Sequence, residues 1–78
     1  MGLKDRLRAL FADVFETDRG MIDESMTTKN TAEWDSLRSI VLATTIESEF
    51  GIEFSDQELV TLDSFQKIYQ SLIGKGLA

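Results

Sequence analysis

Apolar residues recur along this chain at helical spacing, and no proline interrupts them. Leu3, Leu7, Leu10, Phe11 and Val14 follow the i, i+4, i+7, i+8, i+11 pattern of one buried helix face. Lys4, Arg6, Arg8 and Asp13 fall mainly on the other side. This predicts a first helix over 3–16, with Gly20 punctuating its end. A second run, Ile40, Val41, Thr44 and Phe50 with the Leu42/Ile46 pair, gives wide apolar coverage and predicts a helix over 36–50. Asp35 or Ser36 can cap its start, and Gly51 supplies its stop. Gly51-Ile52-Glu53-Phe54 reads as a short extended run, too brief to make a sheet alone. Ser55-Asp56-Gln57-Glu58 has the Ser-x-x-Glu capping-box pattern and opens a short helix over 56–61. Asp63 or Ser64 caps a last helix over 64–73, striped by Phe65, Ile68, Tyr69 and Leu72 and ended by Gly74.

Residues 17–35 break the pattern. They are rich in Asp, Glu, Thr, Ser and Asn, and only Met21, Ile22, Met26 and Trp34 are large and apolar. The segment reads as an ordered loop pinned to the core by those four residues, and a loop this long in so small a domain is often functional. The expected fold is therefore all-α: a small four-helix bundle with a long loop between the first and second helices and a short third helix. With no linker, low-complexity segment or repeat, residues 1–78 are expected to form one domain.

Composition narrows the chemistry. The chain has no Cys and no His, so it lacks a disulfide framework, a thiolate nucleophile, a Cys-based zinc site and the commonest general base. It carries 14 acidic against 8 basic residues, a net charge of −6. Phosphate backbones and anionic membrane surfaces repel such a chain, so neither a nucleic acid nor a membrane is the expected partner. No calcium-loop spacing fits Asp18-Arg19-Gly20 and Asp23-Glu24, and no phosphate-binding glycine fingerprint is present. The start, Met-Gly-Leu-Lys-Asp-Arg, lacks the apolar core of a signal peptide, and Arg6 stands where a myristoylation signal needs Ser or Thr. The expected location is cytoplasmic.

The informative segment is Glu33-Trp34-Asp35-Ser36-Leu37. A serine sits where a polar loop becomes a helix. There a hydroxyl is exposed, close to free backbone N–H groups and the positive end of the helix dipole, a setting that favours a phosphate ester. The plainer reading is that Ser36 is a structural N-cap. On spacing alone both stay open.

Trp34-Asp35-Ser36-Leu37 followed by Arg38-Ser39-Ile40 resembles the Asp-Ser-Leu modification motif of acyl carrier proteins. The motif sits near the middle of a small acidic chain, after one helix and a long loop. It is followed by Ile46-Glu47-Ser48-Glu49-Phe50-Gly51-Ile52-Glu53-Phe54, similar to that family's helix end and extended turn, and by Leu59 and Phe65-Gln66-Lys67-Ile68, which fit its third and fourth helices. The resemblance covers nearly the whole chain.

It implies a carrier, not an enzyme. A phosphopantetheinyl transferase would move 4′-phosphopantetheine from coenzyme A onto Ser36, and the arm's thiol would carry acyl groups as thioesters. The reactive sulfur then comes from the cofactor, which reconciles the function with a chain that has no Cys. The resemblance further implies a ligase that loads the arm and downstream synthases or transferases that unload it. A monomeric acyl carrier of a lipid or secondary-metabolite pathway is the expected protein. An aminoacyl or D-alanyl carrier is the alternative within the family, and an acidic helical interaction module with unmodified Ser36 is the alternative outside it.

Asp35 and Leu37 would help the transferase dock, and Arg38, Val41, Glu47 and Glu49 would contribute to partner docking, the charged ones by electrostatic steering. Arg38, Val41, Thr44 and Ser48 depart from the family's fatty-acid carriers, which carry acids or Met there, and Arg38 is expected to govern partner choice more than fold. Trp34 is expected to fasten the loop to the bundle. A cargo pocket would draw on Phe11, Ile46, Phe50, Ile52, Phe54, Ile68 and Tyr69, with Thr44 and Thr45 near its mouth.

Overall fold

The computed structural model describes residues 2–77. It contains four α-helices: α1 (Leu3–Val14), α2 (Ser36–Phe50), α3 (Asp56–Thr61) and α4 (Phe65–Gly74), with a 3₁₀ turn at Arg19–Met21. No strand forms among the described residues. One isolated antiparallel bridge joins Thr27 to Ser64, and it ties the loop to the start of α4.

Burial follows the helical stripes. Leu7, Leu10, Phe11 and Val14 of α1 meet Leu42 and Ile46 of α2 and Phe65, Ile68 and Leu72 of α4 in one core. Trp34 and Ile22 enter that core from the loop, and Phe54 enters it from the extended run. Phe11 is the centre of an aromatic cluster, with its ring 5.4 Å from Trp34 and 5.0 Å from Phe65. The Phe11–Trp34 pair is edge-to-face, a favourable arrangement for two ring quadrupoles. At 2% exposure Trp34 fastens the loop to the bundle. Its Nε1–H has no hydrogen-bond partner among the described residues, and its ring meets those of Phe11 and Phe15 edge-to-face.

Several sequence expectations need correction. α1 ends at Val14, two residues early, and Gly20 does not end it. Glu16 takes a positive φ of 54°, and the Thr17 N–H reaches back to the Ala12 carbonyl while the Glu16 N–H reaches Asp13. This is a Schellman termination built without glycine. Gly20 instead lies in the 3₁₀ turn. α4 starts one residue later than expected and keeps Gly74 as its last residue. Gly76, at φ 85°, makes the left-handed turn that ends it. Met21 does not pin the loop, since it is 72% exposed. The loop is held by other means: Arg8 donates to the Ile22 carbonyl at 3.0 Å and pairs with Glu24 at 2.8 Å, and Lys4 reaches the same carboxylate at 3.1 Å. Both cations hold the Glu24 carboxyl below its ordinary range, Arg8 more than Lys4.

α3 has no buried residue and depends on its ends. The Ser55–Glu58 capping box forms, with Glu58 N–H donating to Ser55 Oγ at 3.1 Å and Ser55 N–H to Glu58 Oε1 at 2.9 Å. The other Glu58 oxygen takes Lys75 of the α4 C-terminus at 3.0 Å. The Ser55 N–H first, and then Lys75, lower the Glu58 carboxyl to about 2. One side chain thus caps a short helix and links it to the last one.

Candidate functional site

The loop delivers its last residues to the N-terminus of α2. Asp35 is the N-cap: its Oδ1 accepts from the Arg38 N–H at 2.8 Å. This resolves the choice between Asp35 and Ser36. A carboxylate one residue before the helix satisfies an orphan N–H and meets the positive dipole end. Ser36 becomes the first helical residue. It is exposed, and its hydroxyl makes no hydrogen bond among the described residues. The serine is therefore free of the structural duty that its position suggested.

The residues after Ser36 separate onto different faces. Leu37 is 71% exposed, Ile40 63% and Val41 43%. The wide apolar coverage expected of α2 is only partly core, because Leu42 and Ile46 alone are buried from this helix. Arg38 is half-buried, and its guanidinium donates to the Val14 carbonyl at the end of α1 and lies 5.8 Å from the Phe15 ring. Glu47 Oε2 accepts from the Phe54 N–H at 2.8 Å, so it fixes the extended run after α2. Two of the expected docking charges are thus engaged within the fold. Glu49 is exposed and borders a groove with Arg6 and Asp13 of α1.

A cleft of about 150 Å³ opens between α2 and α3. Ile40, Ala43, Thr44 and Ile46 line one wall, and Leu59, Leu62 and Ile68 line the other. Of the expected lining only Ile46, Ile68 and Thr44 are there. Phe11 lies in the core and Phe54 packs under Lys75, while Phe50 stacks with Arg6 and Tyr69 with Lys4. Thr45 faces α1 and bonds back to the Val41 carbonyl at 2.7 Å. Sequence reasoning missed Leu59 and Leu62 as lining. Their i, i+3 spacing, from the last turn of α3 to its C-cap, was the available signal.

The family model for the phosphopantetheine attachment site matches residues 5–72. The chain belongs to the acyl carrier protein family. It is also 29% identical over 72 residues to polyketide-8 synthase acyl carrier protein 2 of Streptomyces avermitilis, an alignment covering 92% of this chain and 83% of that protein. The cofactor of this family is 4′-phosphopantetheine, and the four-helix fold fits a carrier of this kind. Such carriers are non-catalytic and work with synthases and transferases. The described residues suit the group on one point: an exposed hydroxyl free of internal hydrogen bonds stands at the start of α2, where the Ser36 and Leu37 N–H groups are unpaired among the described residues. Among the described residues, no helix is long and apolar enough to cross a membrane.

Proposed function

We propose that this chain is an acyl carrier protein, modified with 4′-phosphopantetheine on Ser36, of the kind that serves polyketide-type synthesis. The observation that carries the reading is the division of labour at α2: Asp35 takes the cap, and the Ser36 hydroxyl is left exposed. A hydroxyl engaged as a cap would have to break that bond to be modified. The printed name of the Streptomyces relative supports the acyl and polyketide part of the reading. When bound, the arm supplies a thiol, which the chain itself lacks. The chain contributes position: Asp35 orders the first turn and the N–H groups of Ser36 and Leu37 face an anion there. Leu37, Val41 and Glu49 are exposed for docking, and the protein acts as a single monomeric carrier domain in the cytoplasm. It catalyses no reaction of its own. Its partners are a phosphopantetheinyl transferase, a loading ligase and downstream synthases or transferases.

The test is intact mass after incubation with coenzyme A, Mg²⁺ and a promiscuous phosphopantetheinyl transferase. The wild type gains the arm, roughly 340 Da from the cofactor's formula. Ser36→Ala gains nothing and stays folded. A folded wild type of unchanged mass would sink the reading.

A further inference from the structure

Ser36 sits in the middle of an exposed bracket, Asp35-Ser36-Leu37. The residues on either side of the bracket are different: Trp34 is buried and Arg38 is half-buried. Both meet the same ring. The centroid of Phe15 lies 5.9 Å from that of Trp34, edge-to-face at 70°, and 5.8 Å from the Arg38 guanidinium. The quadrupole of an aromatic ring favours both arrangements. Phe15 is itself fixed. It is the C-cap of α1, its N–H donates to the Phe11 carbonyl at 2.8 Å, and its ring stacks on that of Phe11 at 5.9 Å. Arg38 adds a hydrogen bond to the adjoining Val14 carbonyl. The end of α1 thus grips the chain two residues before Ser36 and two residues after it. Phe11 supports Trp34 alone, and Phe15 is the ring that both flanking residues share.

We propose that Phe15 is a positioning residue for the modification of Ser36, acting through Trp34 and Arg38 to hold the first turn of α2 in the geometry the transfer needs. The inference rests on the carrier reading above. In the transfer, Ser36 Oγ bonds to the phosphorus that bears the pantetheine arm. The pyrophosphate bond of coenzyme A breaks, adenosine 3′,5′-bisphosphate leaves with the electron pair, and the hydroxyl proton passes to a base of the transferase. The attacking oxygen must lie opposite the leaving oxygen, so a displacement of about 1 Å costs up to ~100-fold in rate. The start of a helix frays readily, because its first N–H groups have no intrahelical partner. Asp35 takes one of them, the Arg38 N–H. That cap orders the turn internally but does not fix it against the bundle. Trp34 and Arg38 do so from either side, and Phe15 supports both.

The experiment follows mass gain with coenzyme A and a promiscuous phosphopantetheinyl transferase over a range of carrier concentrations, well below every variant's melting temperature. Phe15→Ala lowers kcat about tenfold and leaves KM within about twofold, because the hydroxyl is misplaced inside a complex that still forms. Phe15→Leu keeps the apolar bulk without the ring and lowers kcat about threefold. Phe15→Tyr keeps the ring and loads like the wild type. Phe54→Leu is the stability control: it weakens the core from the run after the far end of α2 and changes kcat less than about twofold. Amide exchange supplies a readout that needs no transferase. The Arg38 N–H, held by Asp35, exchanges about tenfold faster in Phe15→Ala and near the wild-type rate in Phe54→Leu, since helix ends open locally. The proposal is overturned if Phe15→Ala and Phe15→Leu load with the wild-type kcat, if Phe54→Leu slows loading as much as they do, or if Arg38 N–H exchange is unchanged in both. A raised KM with unchanged kcat also overturns it, since Phe15 is then a contact of the transferase. Where Phe15→Ala does not fold, Phe15→Leu decides by the same criteria. A wild type that gains no mass defeats the carrier reading and this inference together, an outcome distinct from equal loading of wild type and variants.

Discussion

Replacing Arg38 by Ala tests whether the fold, rather than a partner, is the main user of this side chain. The last turn of α1 contains no basic residue of its own, so its orphan carbonyls and negative dipole end lack a local cation. Arg38 supplies one from α2 by donating to the Val14 carbonyl. A hydrogen bond to a charged group contributes ~1.5–3 kcal/mol, a cation at a helix C-terminus ~0.3–1, and a cation near an aromatic face ~0.5–1. The three describe one guanidinium and overlap, and the side chain is only half-buried. About 2 kcal/mol is therefore the expected loss. In a domain of this size that lowers Tm by about 8–16 °C. Arg38→Lys retains the charge without the planar fork and loses about half as much. Arg38→Glu loses more than Arg38→Ala, because it puts an anion against the same carbonyls. Urea unfolding read by the fluorescence of Trp34, the sole tryptophan and 5.9 Å from Phe15, measures all three. A loss below about 0.5 kcal/mol for Arg38→Ala, with unchanged slope, is the behaviour of an ordinary surface charge and would refute the reasoning.

Other outcomes follow from the same geometry. Asp35→Ala removes the cap of α2 and costs about 1 kcal/mol in urea unfolding, while Asp35→Asn costs much less because the amide oxygen still accepts from Arg38 N–H. Glu58 has its carboxyl lowered from the ordinary 4.5 to about 2, so its contribution to stability is fully present above 4.5 and is lost as pH falls from there toward 2. Glu58→Gln therefore lowers the midpoint at neutral pH and flattens its decline through that window; a parallel decline in both proteins would count against the assignment. Gly51→Ala forces a φ of 65° on a residue with a Cβ and costs about 1 kcal/mol although no atom lies within 4 Å of the added carbon. Phe11→Ala empties the aromatic centre of the core and costs about 3–5 kcal/mol, enough to unfold a domain this small at room temperature.

The helices were legible because their signals are local. A stripe of Leu and Phe at 3.6-residue spacing, the Ser55–Glu58 box and Gly51 at a helix end act through neighbours in sequence. The end of α1 was not legible, because Gly20 is the obvious stop and Glu16 a poor one. Glu16 takes the left-handed turn while the buried Val14 and Ile22 anchor the chain on either side of it. The site was half legible. Ser36 stood out by its place between loop and helix, but whether it or Asp35 caps α2 depends on backbone geometry at a loop end. The cleft was largely missed, because buried and lining residues of a bundle look alike in sequence.

The sequence by itself determined an acidic, four-helix carrier with an Asp-Ser-Leu segment at the start of its second helix. Periodicity, capping residues and a motif are carried by residues a few positions apart. Only the tertiary structure decided what the charges of α2 do. Arg38 finds its partner 24 residues away on α1, and Glu47 finds its partner on the backbone of Phe54. A charge in a sequence has a sign and a place on a helix, but whether it faces solvent or a neighbouring carbonyl is settled by how the helices pack.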